Sequence, residues 1–168
     1  MWPFVIALLL VGFGVACFTG APYVPILGQD RRHLLDLAEL KAGQTLIDLG
    51  SGDGRLLYAA AQRGLTAIGY EINPIMILVS WAVCWRYRRR VTIRWANLWT
   101  VKLPPADIIY VFLLDKYMDR LDAKLQAEIT QPTIVISYVF KLPRQPIRTN
   151  ATASVYCYGP IEKAEPLV

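Results

Sequence analysis

The stretch "TLIDLGSGDGRLLYAAAQRG", Thr45 to Gly64, decides the fold. An apolar run ends in Asp48, and Gly50, Gly52 and Gly54 follow at two-residue spacing. "TLIDL" predicts a buried strand, and "RLLYAAAQR", closed by Gly64, predicts a helix with a glycine just past its end. In an open parallel sheet such a strand-to-helix turn lies where ligands bind, at the strand's carboxyl end and beside free helix amides.

Strand and helix signals then alternate. "TAIGYE" predicts a second strand; Asn73-Pro74 supplies a cap and a proline at the first helical position, and that helix runs to about Tyr87. "VTIRW", "DIIYVF" and "TIVISYVF" predict three more strands, and Tyr117, Met118, Leu121, Leu125 and Ile129 form a helical stripe. Between "VTIRW" and "DIIYVF" there is room only for a loop. After Phe140 the tail holds one convincing strand, "ASVYCYG", and a weak partner near Pro146 to Arg148, which suits an antiparallel hairpin at one sheet edge. The expected fold is therefore α/β: a Rossmann-like, doubly wound, mostly parallel sheet with an antiparallel edge strand. The tail is short for a full seven strands.

Upstream the chain changes character. "WPFVIALLLVGFGVACF", Trp2 to Phe18, carries no charge and is long enough for about 26 Å of helix, the short end for a transmembrane span. No Lys or Arg precedes it and no convincing cleavage site follows, which favours an uncleaved anchor over a signal peptide. Arg31 and Arg32 come after it, so the C-terminal domain is expected on the cytoplasmic or matrix-equivalent side of a single-pass membrane protein. The expected division is anchor 1–20, linker and lead-in helix 21–42 with Asp30 as its cap and Gly43 as its stop, and ligand-binding domain 43–168.

The 168-residue chain carries a net charge of +5 and the run "RYRRR", Arg86 to Arg90. These suit anionic lipid head groups, or a solvated helix end opposing its dipole, better than nucleic acid. The helix from Ile75 to Trp85 is apolar nearly all round, so it is either buried or faces a membrane or the anchor. Cys17, Cys84 and Cys157 are an odd set without metal or redox spacing, which favours packing roles in a reduced compartment. No metal is expected, and His33, the single histidine, is assigned no chemistry.

Spacing narrows the ligand. A dinucleotide fingerprint counted from Gly50 would need its third glycine at Arg55, and no Gly-Lys-Ser/Thr of a Walker loop is present. Glu71 ends the second strand about twenty residues after the first glycine, where a carboxylate accepts ribose hydroxyls. Asp48 lies beside the loop, and the loop amides suit the carboxylate of an amino-acid tail. The ligand described is adenosine joined to a zwitterionic amino acid, which S-adenosylmethionine fits.

"DLGSGDG" with "GYEINP" resembles the first two motifs of the seven-β-strand S-adenosylmethionine-dependent methyltransferases. "PYVP", "IDLGSGDGR", "AIGYEINP" and "NLWTV" together resemble the membrane-anchored lysine methyltransferases of the ATP synthase c subunit and the adenine nucleotide translocase. That resemblance implies transfer of a methyl group from S-adenosylmethionine to a lysine amine, with S-adenosylhomocysteine as product and a protein substrate, itself in a membrane. It implies that Asp48, Gly50, Ser51, Gly52 and Gly54 wrap the methionine moiety, that Glu71 holds the ribose and that Asn97 meets the adenine with Leu98 packed nearby. Tyr23 to Pro25 would line the entrance. Asn97 departs from the family's frequent Asp. "VFLLD" lacks the Asn-Pro-Pro-Tyr motif of adenine and glutamine methyltransferases, which disfavours those substrates. Tyr23 and Asp115 are the catalytic candidates, although Asp115 also suits a helix cap. A lipid or quinone methyltransferase and a non-catalytic adenosine-ligand sensor are the competing readings.

Overall fold

The computed structural model describes residues 34–160 except 38. The anchor expected at 1–20, the linker, His33, and the candidates Tyr23 and Pro25 lie outside the described residues. Seven strands form one sheet: β1 (Thr45–Leu49), β2 (Thr66–Glu71), β3 (Val91–Trp95), β4 (Ile108–Val111), β5 (Thr133–Tyr138), β6 (Arg148–Thr149) and β7 (Ala153–Tyr158), in the order β3-β2-β1-β4-β5-β7-β6. Three helices connect them: α1 (Arg55–Gln62), α2 (Pro74–Cys84) and α3 (Met118–Glu128). The first five strands are parallel, and β7 runs antiparallel to both β5 and β6.

The sheet is completed with very little chain. β6 has two residues, both exposed, so the expected hairpin exists with its outer strand reduced to a clip along β7. The short tail therefore still yields seven strands.

Two-residue alternation along the strands sorts the core into two layers. Ile47, Leu49, Tyr70, Ile109 and Val111 face α3 with Leu121 and Leu125. Leu46, Ala67, Ile108 and Ile136 face α1 with Leu56, Leu57 and Ala60, and Leu34 and Leu35 join them, 1% exposed each. By the same alternation Asp48 and Glu71 belong to the α1 face, at strand ends that share an edge.

Asn73 caps α2 as expected: its Oδ1 accepts from the Ile75 N–H at 2.9 Å, with Pro74 in the first turn. The helix stops at Cys84 and tightens into a 3₁₀ turn, Trp85–Tyr87, short of a continuous α-helix to Tyr87. Asp115 does not cap α3. It opens a 3₁₀ turn, Asp115–Tyr117, exposed and without a side-chain capping bond, because that extra turn carries the chain past it before α3 begins. β5 ends at Tyr138, and Val139 then takes a left-handed backbone (φ 67°) that turns the chain out of the sheet. Among the described residues no helix is long and apolar enough to cross a membrane.

Candidate functional site

The strand order reverses between β1 and β4, and the crevice at the carboxyl ends of such strands is where open α/β sheets bind ligands. Asp48, Glu71 and Asn97 all reach that edge. Asp48 pairs with Gly69 across β1 and β2, and Glu71 closes β2 opposite Trp95. The Ala96 N–H donates to the Glu71 carbonyl at 3.0 Å, so the turn bearing Asn97 starts beside Glu71.

The glycine loop takes left-handed backbone at Gly50 (φ 96°), Gly52 (φ 52°) and Gly54 (φ 77°). The first and last of these serve opposite ends. A Cβ on Gly54 would stand 2.1 Å from Ser80 Oγ, so this glycine lets α1 start hard against α2. A Cβ on Gly50 would meet nothing within 4 Å, so its face opens onto free space.

Most of the loop's amides are already engaged. Gly50 N–H and Ser51 N–H both donate to Tyr70 O, at 2.9 and 3.1 Å, and Gly54 N–H donates to Ser51 O at 2.9 Å. Gly52 N–H donates to Glu71 Oε2 at 2.8 Å, and Arg55 N–H to Asp53 Oδ1 at 3.2 Å. On sequence grounds these amides suit a ligand carboxylate; the fold uses them to pin the loop to the end of β2. The loop instead presents open Cα surface and acidic side chains.

Glu71 is fixed from three sides. Its Oε1 accepts from Ile72 N–H at 2.9 Å and Asn73 N–H at 2.8 Å, and Oε2 accepts the Gly52 bond. A carboxylate has about four acceptor positions, so one remains, on Oε2. This carboxylate can take one hydroxyl as it stands, and a second only by releasing Gly52.

Asp48 is 3% exposed, and its pKa is pushed well above the usual carboxylate range, first by burial and then by the charges of Glu71 and Asp53. Asp53 is itself buried, and Arg55 Nε sits 2.6 Å from its Oδ2. A buried carboxyl whose charged neighbours are other acids is costly to ionise until a cation arrives. Asp53 reads as a spacer in the sequence; its place between two glycines of the loop is the available signal. Ser51 Oγ is buried without a hydrogen-bond partner, wedged against the Cβ-free side of Gly69.

The remaining candidates divide. Asn97 is half-buried; its Oδ1 accepts from Trp99 N–H at 3.0 Å and its carbonyl from Thr100 and Val101, so it organises the turn after β3. Leu98 is buried in the α3-side core. Trp99 packs against Tyr117 at 5.7 Å between ring centres, and the Arg120 guanidinium lies 4.2 Å over its ring. Asp115 follows the carboxyl end of β4, beside β1 in the sheet, and is exposed. Among the described residues no group of acids, histidines and cysteines could hold a metal ion.

The comparisons converge on one family. The ANTKMT methyltransferase domain matches residues 48–148. The mouse adenine nucleotide translocase lysine N-methyltransferase is 35% identical over 143 residues, 80% of this chain and 62% of its own. The human lysine N-methyltransferase of the ATP synthase c subunit is 32% identical over 124 residues, 73% of this chain and 53% of its own. The chain thus spans about half the length of the curated relatives it matches. Among solved structures, an RNA methyltransferase from Salinibacter ruber in complex with S-adenosyl-L-homocysteine superposes with a TM-score of 0.77 at 26% identity, over 84% of this chain and 98% of that one.

Proposed function

The chain belongs to the ANTKMT methyltransferase domain family, and on that premise we propose that it moves a methyl group from S-adenosylmethionine to a lysine amine of a protein, held at a membrane by its N-terminal segment. The observation that carries the reading is the buried Asp48 carboxyl, with Glu71 and Asp53 as its charged neighbours, at the end of a strand whose next glycine opens onto free space. That is a negative site with room above the backbone, suited to a cationic ligand. The two relatives above, which act on lysine in the ATP synthase c subunit and the adenine nucleotide translocase, supply the lysine and the protein substrate by analogy.

When bound, S-adenosylmethionine supplies a methyl group already activated on a positively charged sulfur. The protein's own work is placement. Asp48 offers its carboxyl to the ligand's ammonium, and the loss of like-charge strain favours the ionised form once that cation is present. Glu71 Oε2 accepts one ribose hydroxyl. Asn97, its Oδ1 shared with Trp99 N–H, stands for the adenine edge, and Leu98 secures the turn from below. Tyr23 and Pro25 line the entrance in this reading, with the Tyr23 hydroxyl as a polar acceptor for the proton that the lysine amine must shed. The apolar segment Trp2–Phe18 confines the enzyme to the plane of its substrate, so effective concentration replaces an extended protein-binding surface.

Incubation with radiolabelled S-adenosylmethionine and a membrane fraction tests this. Label is expected in protein, on lysine by mass spectrometry. Label confined to extractable lipid, or appearing only in RNA, would overturn the lysine assignment. Glu71→Ala is expected to weaken S-adenosylhomocysteine binding by roughly 30-fold, the worth of a hydrogen bond to a charged group; unchanged titration calorimetry would refute its role.

A further inference from the structure

Helix α2 buries only one side. Ile77, Ser80 and Cys84 face the core, while Leu78 (62% exposed), Val79 (39%), Trp81 (53%) and Trp85 (66%) lie in solvent. Leu78, Trp81, Ala82 and Trp85 follow the i, i+3, i+4, i+7 spacing that places them along one stripe. On the adjoining edge strand β3, Val91 and Ile93 pack on the α2 side of the sheet, and Trp95, two residues on, shares that side by strand alternation. Trp95 is 73% exposed, and its Nε1 donates to Ile72 O at 3.0 Å, over the approach to α2. Of the five tryptophans in the chain, three stand exposed on this flank.

A basic rim closes the far end of the stripe. Arg86, Arg88, Arg89 and Arg90 are all exposed, and the Arg88 guanidinium lies 4.8 Å over the Trp85 ring. No acidic residue occurs between Glu71 and Asp107. We propose that this flank, the outer face of α2 with Trp95 and the arginine run, is a docking surface for an anionic lipid bilayer.

Charge and chemistry choose this occupant. Aliphatic side chains flanked by tryptophans and arginines match the layering of a bilayer interface, where indoles settle at head-group level and guanidiniums meet phosphate. A second copy of the chain docked on the same face would bring no acid to these arginines, because the stretch holds none. The uncharged segment Trp2–Phe18 offers them no counter-charge either. The inference rests on the membrane reading above and gives it orientation. Since α2 runs along the sheet from the site end toward its far end, docking the flank lays the sheet along the bilayer, and the crevice at the strand ends opens beside the lipid surface.

The full chain, mixed with vesicles of phosphatidylcholine or of phosphatidylcholine with phosphatidylserine, separates the two claims. Retention on neutral vesicles at any salt reports the N-terminal anchor. Quenching of tryptophan emission by tail-brominated lipid, appearing with phosphatidylserine, fading with salt and lost in Trp81→Phe/Trp85→Phe, reports the flank. Arg88→Gln/Arg89→Gln is expected to weaken the phosphatidylserine-dependent step by about 30-fold, roughly fivefold for each arginine. If the chain is retained but these tryptophans stay unquenched in anionic vesicles, the proposal fails and a protein partner takes the face. If Trp81 and Trp85 are already shielded from aqueous quencher without vesicles, the chain's own apolar segment covers the face and the proposal fails as well. Salt-sensitive binding to anionic vesicles without retention on neutral ones would sustain the flank and overturn the anchor. The substituted side chains are exposed, and an unchanged melting curve confirms that each variant folds.

Discussion

Asp48 and Asp122 are both buried carboxyls, 3% and 7% exposed, and the protein treats them in opposite ways. Asp122, on α3, is surrounded by donors. Arg144 Nε reaches its Oδ1 at 2.7 Å, the Tyr158 hydroxyl donates to the same oxygen, and Gln126 donates to Oδ2. The Arg144 guanidinium also lies 4.0 Å over the Tyr158 ring. Burial by itself would raise the Asp122 pKa, but these bonds bring it below the usual carboxylate value. Asp48 has acids for charged neighbours, and its pKa rises. One carboxyl is finished by the fold and ties α3, the loop after β5 and β7 together. The other has acids for charged neighbours, the setting that the proposed ammonium ligand would relieve.

The largest expected break in this comparison is Asp122→Ala. Arg144 and Tyr158 would lose their shared acceptor, destabilising the fold by about 3 kcal/mol in urea titration. The intrinsic affinity of the folded protein for S-adenosylhomocysteine is expected to stay the same. Asp48→Asn should do the reverse: ligand affinity falls roughly 30-fold, the loss of a charged partner, while stability at pH 7 rises by about 1 kcal/mol. Equal effects of both substitutions on binding would dissolve the distinction.

The glycines sharpen it next. Gly54→Ala forces a methyl into Ser80 at a left-handed residue and is expected to cost about 3 kcal/mol of stability. Gly50→Ala meets no atom and is expected to cost only about 1 kcal/mol, from the backbone conformation alone, while placing its methyl where the ligand would lie. Melting curves and calorimetry on both variants separate packing from binding within one loop.

The smallest effect is the pH dependence, whose sign differs between the two carboxyls. Asp122, depressed on folding, contributes stability that is present above the unfolded value of about 3.9 and is lost as pH falls through its folded value. Asp48, raised on folding, holds its proton more tightly in the native state, so its contribution weakens as pH rises from about 3.9 through its folded value. Urea titrations across that range should therefore show Asp122→Asn flattening the acid-side loss and Asp48→Asn flattening the loss on the rising side.

Local signals carry much of this. Asn73-Pro74 marks the start of α2 because cap and proline act within one turn, and the boundaries of β1, β2 and β3 follow from apolar runs set between glycines and polar residues. Asp48, Gly50, Gly54 and Glu71 stand out because their spacing repeats a strand-turn-helix-strand geometry. Asp53 does not, since a residue between two glycines reads as filler until its burial is known. Asp115 suits a cap on sequence grounds, and only the intervening 3₁₀ turn removes it from that position.

By itself the sequence determined the alternating α/β plan, the acidic edge around the glycine loop and an acid-free basic stretch, because each depends on neighbours a few residues apart. The tertiary structure decided which acids are neutralised. Asp122 meets its partners from 22 and 36 residues away, separations at which no periodicity points to a contact. It also decided that the loop amides close on β2 and that the apolar helix α2 buries one side and leaves Leu78 and Trp81 more than half exposed, with Trp85 exposed in the turn that follows, since both follow from how the sheet brings distant backbone together.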